Sequence, residues 1–407
     1  MAHPTFLRLA FTILLAIGLI GAGLDLDTMI DWGGRAEGCS QHDFRSYYFA
    51  AKAIALGISP YDTDAINRQF GFEAFFVYPW FMTAPFRLLT GFTLDEARLI
   101  FTALKLLATI PLVLLGHALW ARPGRALPWM VFLAIGINGT WLRDMCLGNA
   151  TVFEVLLLWA GLALLLRGRI HWFCLCVALA SADKLVYAGF LALAPLLYPQ
   201  QKQAWLAALG TLAAIAGLLA LGLLLEPQLM SEWYRNIRPI PGHRFSWFNL
   251  GKFIFEIQGV GDAQPPYWRR GEAYLFAMTA ALAWGGCAWA YWRALRAGQP
   301  LSRLRVVSLF VLAFAASVPF GFSYSWIYAL GAVFMTINAG LTRSGLWPLA
   351  SLALAALALL PQPAWALAGF ALPYNYVHLF TVSGACLLLI ALTLSDRRED
   401  YLRTNTQ

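Results

Sequence analysis

Two neighbouring stretches decide how the chain folds: TFLRLAFTILLAIGLIGAGL (5–24) and QHDFRSYYFAAKAIALGISPYD (41–62). The first is apolar over about 20 residues, the length that spans a bilayer's hydrocarbon core. Arg8 near its start and the small pair Ala22-Gly23 imitate a signal peptide. Many further apolar runs follow, so it reads as a retained first helix rather than a cleaved leader. The second stretch is polar and rich in aromatics, and it carries one early carboxylate, Asp43. Its residues 42–57 have a helical period: Phe44, Tyr47, Tyr48, Ala51, Ile54 and Ala55 share one face, and Gly57 supplies a stop. That pattern predicts an amphipathic helix lying at the outer membrane surface, with Asp43 in its first turn on the aqueous side.

Working outward, the composition agrees. The chain has 407 residues, 60% apolar and 12% charged, with mean hydropathy +0.63. Soluble domains carry about 25% charged residues, so the reading is an all-α polytopic membrane protein. Further membrane-length runs fall near 98–120, 128–142, 150–166, 172–198, 204–225, 273–293, 306–322, 324–341, 346–362 and 374–395. Asp183-Lys184 interrupts the run 172–198, which favours two short helices meeting at membrane depth. Residues 74–91, with Pro79 and Pro85, read as a half-buried or re-entrant helix. Basic loops at 121–126, 167–171, 201–203, 293–305 and 342–344, together with the C-terminal tail, place those segments in the cytoplasm. Both termini are then cytoplasmic, with about 12 spans in a single integral domain over 1–407. Residues 25–97 and 226–272 become the two large external segments, where function is expected.

The net charge of +8 lies largely in short inter-span loops, so it orients the protein and does not indicate nucleic-acid binding. The six cysteines suggest no disulfide framework, and no Cys/His spacing suggests zinc. No Walker-type or Gly-rich phosphate loop is present.

Several polar residues stand out against this apolar background. Asp43, with Arg45, Tyr47 and Tyr48 around it, could act as a general base beneath a sugar held by ring faces. The plainer account is a helix-start carboxylate favoured by the helix dipole. Lys184 is an ionisable residue at membrane depth, which suits a point-charge contact to a phosphate. The alternative is neutralisation by Asp183 or another buried partner. In WYRNIRPIPGHRFSWFNLGKF (233–253), Arg244 and His243 lead a cationic, aromatic set on the outer side, suited to an anionic ligand or to an interfacial belt. Arg143, Asp144 and Asn149 form a third polar group, either a buried Arg–Asp pair or a substrate contact.

The ordered pieces Asp43-Phe44, Tyr47-Tyr48, Ala50-Ala51, Gly57, Pro60-Tyr61, Tyr78-Pro79 with Pro85, Gly148-Asn149, Lys184 and Asn249 span roughly half of the chain. Taken together they resemble the polyprenyl-phosphate-dependent mannosyltransferases of the glycosyltransferase-C superfamily. That group includes phosphatidylinositol-mannoside mannosyltransferases and arabinofuranosyltransferases. The resemblance implies a glycosyltransferase-C fold with its active site at the outer face of a bacterial inner (plasma) membrane. It implies transfer of mannose, or a related pentose or hexose, from a polyprenyl-phosphate donor to a glycolipid or glycan acceptor, with inversion. Asp43 matches the family's base, and Lys184 matches a cationic position that approaches the donor phosphate. Arg244 and His243, read from their own loop, are the further expected contacts to that phosphate. Arg45, Tyr47, Tyr48, Asp144, Asn149, Asn249 and Tyr328 are the expected substrate contacts. The chain departs from the pattern at Gly148-Asn149-Ala150-Thr151, where relatives often have Gly-Gln-x-Asn. It departs again at Trp326-Ile327-Tyr328-Ala329, where they often have a Trp-x-His-His turn.

No cofactor is required if cationic side chains hold the phosphate. Asp25, Asp27 and Asp31 are the carboxylates a divalent cation would use. The expected partners are the lipid-linked donor, the acceptor and membrane lipid, with no nucleic acid. The competing class is a lipid-linked sugar flippase or transporter, which needs polar access from both faces. A polysaccharide ligase using a polyprenyl pyrophosphate is a third reading, and it would not need an aspartate base in the first loop.

Overall fold

The computed structural model describes residues 4–29, 41–73, 76–121, 124–237, 266–298, 300–317, 323–360 and 374–404. Every regular element among these residues is helical, as expected of an all-α chain. The first helices are α1 (Pro4–Met29), α2 (His42–Ala55), α3 (Thr63–Phe70), α4 (Ala84–Arg87) and α5 (Leu94–Trp120). They are followed by α6 (Ala126–Leu147), α7 (Thr151–Leu166), α8 (Ile170–Asp183), α9 (Leu193–Leu197), α10 (Lys202–Leu225) and α11 (Pro227–Ile237).

Helices α5 and α10 are each long and apolar enough to cross a membrane. Helix α6 reaches that length only as two pieces, Ala126–Ile137 and Gly139–Leu147, bent by 62°. The bend sits where Ile137 has φ 48° and Gly139 has φ 69°, left-handed values that a right-handed helix cannot continue through. The run 172–198 breaks where the sequence places it. Helix α8 ends at Asp183, Lys184 is extended (φ −121°, ψ 99°), and a 3-10 segment Leu185–Ala192 leads into α9. Within 74–91 the chain forms only the 3-10 turn Trp80–Thr83 and the one-turn helix α4, too short to span.

The chain divides into two compact units. One combines Met29–Leu115 with Arg143–Phe245; the other combines Met1–Thr28, Gly116–Leu142 and Ser246–Gln407. In the first, α7 packs against α8, α8 against α10, and α10 against α11. Helix α2 packs against α3, α4 and the Trp80–Thr83 turn. It is not the surface helix with a single apolar stripe that the periodicity suggests. Phe44, Ser46, Tyr47, Tyr48, Phe49, Ala50, Ala51 and Ala53 are all buried, whereas Ile54 is half-buried and Ala55 exposed. The alanines are the physical reason, because side chains that small let neighbouring elements close on α2 from more than one side.

In the other unit, helix Arg303–Ser317 is buried at every position from Val306 to Ala316, the mark of a helix that is apolar all round and central to its unit. Glycines set close approaches there. A Cβ on Gly331 would collide with the Trp120 indole, and one on Gly340 with the Ser351 hydroxyl. The cysteines need one correction. Cys174, Cys176, Cys287 and Cys386 are free, but Cys146 is disulfide-bonded.

Candidate active site

Three of the polar residues singled out in the sequence, Asp43, Asn149 and Lys184, come together in the first unit, at the start of α2. Gln41 caps that helix in a left-handed conformation (φ 49°, ψ 42°). Its backbone N–H donates to the Cys146 carbonyl at 3.1 Å, and its side-chain amide donates to Thr102 Oγ1 at 2.9 Å. Its Oε1 accepts from Arg98 Nε at 3.3 Å. A strained residue tied to α5 and α6 in this way fixes the register of α2, and hence of Asp43 two residues on.

Asp43 meets Asn149. The Asn149 amide nitrogen donates to Asp43 Oδ2 at 2.8 Å and lies 3.1 Å from the Tyr78 hydroxyl. The Asp43 side chain keeps 23% exposure, so the carboxylate is held on one side and open on another. Gly148 makes the approach possible. It has φ +69°, and a Cβ there would lie 2.7 Å from Phe44 Cβ and 3.3 Å from the Phe44 backbone nitrogen. Only glycine meets both demands.

Behind Asn149 stands Lys184. Its ammonium donates to Asn149 Oδ1 (3.1 Å), Thr151 Oγ1 (2.8 Å) and both Glu154 oxygens (2.9 Å each). Thr151 and Glu154 sit three residues apart in the first turn of α7 and so face the same way. The extended backbone at Lys184 ends α8, the break that lets this residue depart from the helical spacing that follows Asp183. A second ion pair, Lys105 Nζ to Asp144 Oδ2 at 2.6 Å, joins α5 to α6, and both side chains are fully buried.

Other expected site residues take part in these contacts or lie near them. Asp144 is paired with Lys105 and is 0% exposed. Asn149 is 0% exposed and touches the candidate base. Tyr47 is buried with Phe86 and Tyr78 stacked on it, at centroid distances of 4.4 and 4.9 Å. Tyr48 is buried with its hydroxyl donating to the Phe92 carbonyl at 2.7 Å. Both rings are held by packing within this unit. Arg45 is half-buried over the Phe72 ring at 4.2 Å. Tyr328 is buried in the other unit, edge-on to Phe314. Arg244, His243 and Asn249 lie outside the described residues.

Tyr78, Glu154, Lys105 and Arg98 were not among the expected site residues. The signal for Glu154 and Lys105 was present, since each is a lone charge inside an apolar helical run. Tyr78 is placed by its own backbone. Trp233 Nε1 donates to the Val77 carbonyl at 3.0 Å and the Tyr61 hydroxyl to the Tyr78 carbonyl at 2.8 Å. Burial, then the Asp183 and Asp43 carboxylates, push the Tyr78 phenol well above its usual range, so its proton stays on.

A partly exposed carboxylate held by an amide can take a proton from a hydroxyl, and lone charges within apolar helices mark functional sites of membrane proteins. A family model described as glycosyltransferase family 87 matches residues 76–317, more than half of the chain. The chain belongs to glycosyltransferase family 87. Membership makes this family-87 protein a membrane glycosyltransferase of the glycosyltransferase-C type. The matched segment contains Tyr78, Lys105, Asp144, Asn149, Glu154 and Lys184, while Asp43 precedes it. Neither a curated protein nor a solved structure matches the family-87 chain. Among its described residues no group of three or more His, Cys, Asp or Glu side chains is placed to hold a metal ion.

Proposed function

We propose that this protein transfers a single sugar, mannose or a related pentose or hexose, from a polyprenyl-phosphate donor to a glycolipid or glycan acceptor at the outer face of the membrane. Asp43, held by Asn149 at 2.8 Å yet 23% exposed, is the observation that carries this reading. The carboxylate takes the acceptor's hydroxyl proton as that oxygen bonds to the anomeric carbon. The bond from that carbon to the phosphate oxygen breaks, and polyprenyl phosphate leaves with the electron pair. One displacement inverts the anomeric centre.

Cations near Asp43 suit an anionic donor. Arg45 lies two residues on from Asp43, and Arg98 anchors Gln41. Burial and then repulsion from Arg98 lower the Arg45 pKa, the situation a bound phosphate would relieve. The disulfide at Cys146 supports the outer-face placement, because disulfides persist in oxidising compartments and the Cys146 carbonyl accepts the N–H of Gln41, two residues before Asp43.

The test is transfer of radiolabelled sugar from synthetic mannosyl-phosphoryl polyprenol by purified protein in detergent, wild type beside Asp43→Asn. General-base catalysis contributes about 10²–10⁴-fold, so the variant should fold normally and lose at least about 100-fold. A variant keeping more than about a tenth of wild-type turnover removes Asp43 from the base role.

A further inference from the structure

Resting on that reading of Asp43, we propose that the Glu154–Lys184 ion pair positions the base through the Asn149 amide, instead of binding the donor phosphate. An ammonium has three hydrogens. Around Lys184 Nζ four oxygens lie within 3.1 Å: Asn149 Oδ1, Thr151 Oγ1 and both oxygens of Glu154. The hydrogens are therefore already committed, and the charge is matched by a carboxylate that is itself 4% exposed. A phosphate reaching Lys184 would have to displace Glu154 and leave that carboxylate buried without its partner, a costly exchange.

The same geometry gives the pair another task. Asn149 Oδ1 receives three donors: Lys184 Nζ, Thr151 Oγ1 at 2.7 Å and the Thr151 backbone N–H at 3.1 Å. With the oxygen fixed on that side, both amide hydrogens must point the other way, toward Asp43 Oδ2 and the Tyr78 hydroxyl. Reversing the amide would set its oxygen against a carboxylate and its hydrogens against an ammonium, so both ends oppose a flip. Glu154 holds Lys184, Lys184 and Thr151 hold Asn149, and Asn149 holds Asp43. Oδ2 is thereby engaged, and Oδ1 is the oxygen left to take the acceptor's proton. Glu154 and Lys184 are positioning residues, since they act through Asn149.

The experiment uses the full-length protein in detergent with mannosyl- and arabinofuranosyl-phosphoryl polyprenol as donors. It compares wild type, Lys184→Met/Glu154→Gln, Asn149→Ala and Asp43→Asn, with each of the first two changes also placed in the Asp43→Asn background. Neutralising both members of the pair leaves neither of them as an unpartnered charge. A misplaced catalytic group costs on the order of 100-fold. The pair variant should thus lose about 100-fold in kcat, with donor KM within about twofold of wild type. In the Asp43→Asn background the same change should cost nothing further, because residues acting as one unit are not additive. Should the pair variant fail to fold, Asn149→Ala, which leaves the ion pair in place, must show the same kcat-only loss and the same non-additivity.

Donor KM rising about tenfold or more with kcat kept, or losses that multiply in the Asp43→Asn background, would overturn the inference alone. So would full kcat in Asn149→Ala. Full turnover in Asp43→Asn, or no transfer from either donor by folded wild type, would overturn the reading of Asp43 and this inference with it.

Discussion

Gly148 and Asn149 show how much a dipeptide can decide when it faces a helix start. Asn149 has the chemistry to hold Asp43, but it reaches it only because Gly148 adopts φ +69° and leaves room for Phe44. Gly148→Ala puts a side chain where left-handed backbone costs about 1–2 kcal/mol and adds a contact against Phe44 Cβ and backbone. The expected outcome is destabilisation of at least about 2 kcal/mol, read as a lower unfolding temperature in detergent, with transfer falling about 100-fold or more. A Gly148→Ala protein with wild-type stability and rate would mean that α2 can shift without consequence. Tyr78→Phe probes the second amide contact. Its loss should be smaller than that of Asn149→Ala, about tenfold or less in kcat, because Asp43 keeps its own bond from Asn149. At this scale the sequence was partly legible. Asp43, Asn149 and Lys184 were picked out by residue type and position, yet Asn149 and Lys184 were both expected to touch ligand. Sequence spacing could not show that Glu154, 30 residues before Lys184, already occupies it.

Elements in this protein are held together by charge as well as by apolar packing. The Lys105–Asp144 pair ties α5 to α6 with both groups buried. Removing one partner from a buried pair costs about 3–5 kcal/mol, because it strands the other charge. Lys105→Met should therefore lower detergent thermal stability sharply, and Lys105→Met/Asp144→Leu should recover most of the loss. If the double variant is no better than the single, Lys105 does more than neutralise Asp144. Helix α8 makes the related point about breaks. Asp183-Lys184 marked the interruption of an apolar run, and the chain does leave the helix there. Helix α2 was harder to read. Its apolar period is genuine, but three buried alanines make it narrow enough to be enclosed, and neighbouring helices decide that, not the period.

For the whole molecule, the site constellation belongs to one compact unit, assembled from Met29–Leu115 and Arg143–Phe245. The disulfide-bonded Cys146 adjoins it, because the Cys146 carbonyl accepts the Gln41 N–H. If the site faces the oxidising side, a membrane-impermeant reductant added outside intact cells or right-side-out vesicles should lower transfer several-fold. The same reagent confined to the cytoplasmic side should leave the rate unchanged. Equal sensitivity from both sides would reverse the proposed orientation or open the site to both faces, as a transporter requires.

The sequence by itself determined the class of molecule. Apolar runs of spanning length, a broken run at Asp183-Lys184 and a carboxylate beyond the first run follow from composition and spacing, because the bilayer demands satisfied helices of fixed length. Tertiary structure alone decided which polar groups meet. Gln41 with Cys146, Asp43 with Asn149, Lys105 with Asp144 and Lys184 with Glu154 are separated by 30 to 106 residues. Buried charges must find partners wherever the packed helices bring one within reach, and no local pattern in the chain encodes that distance.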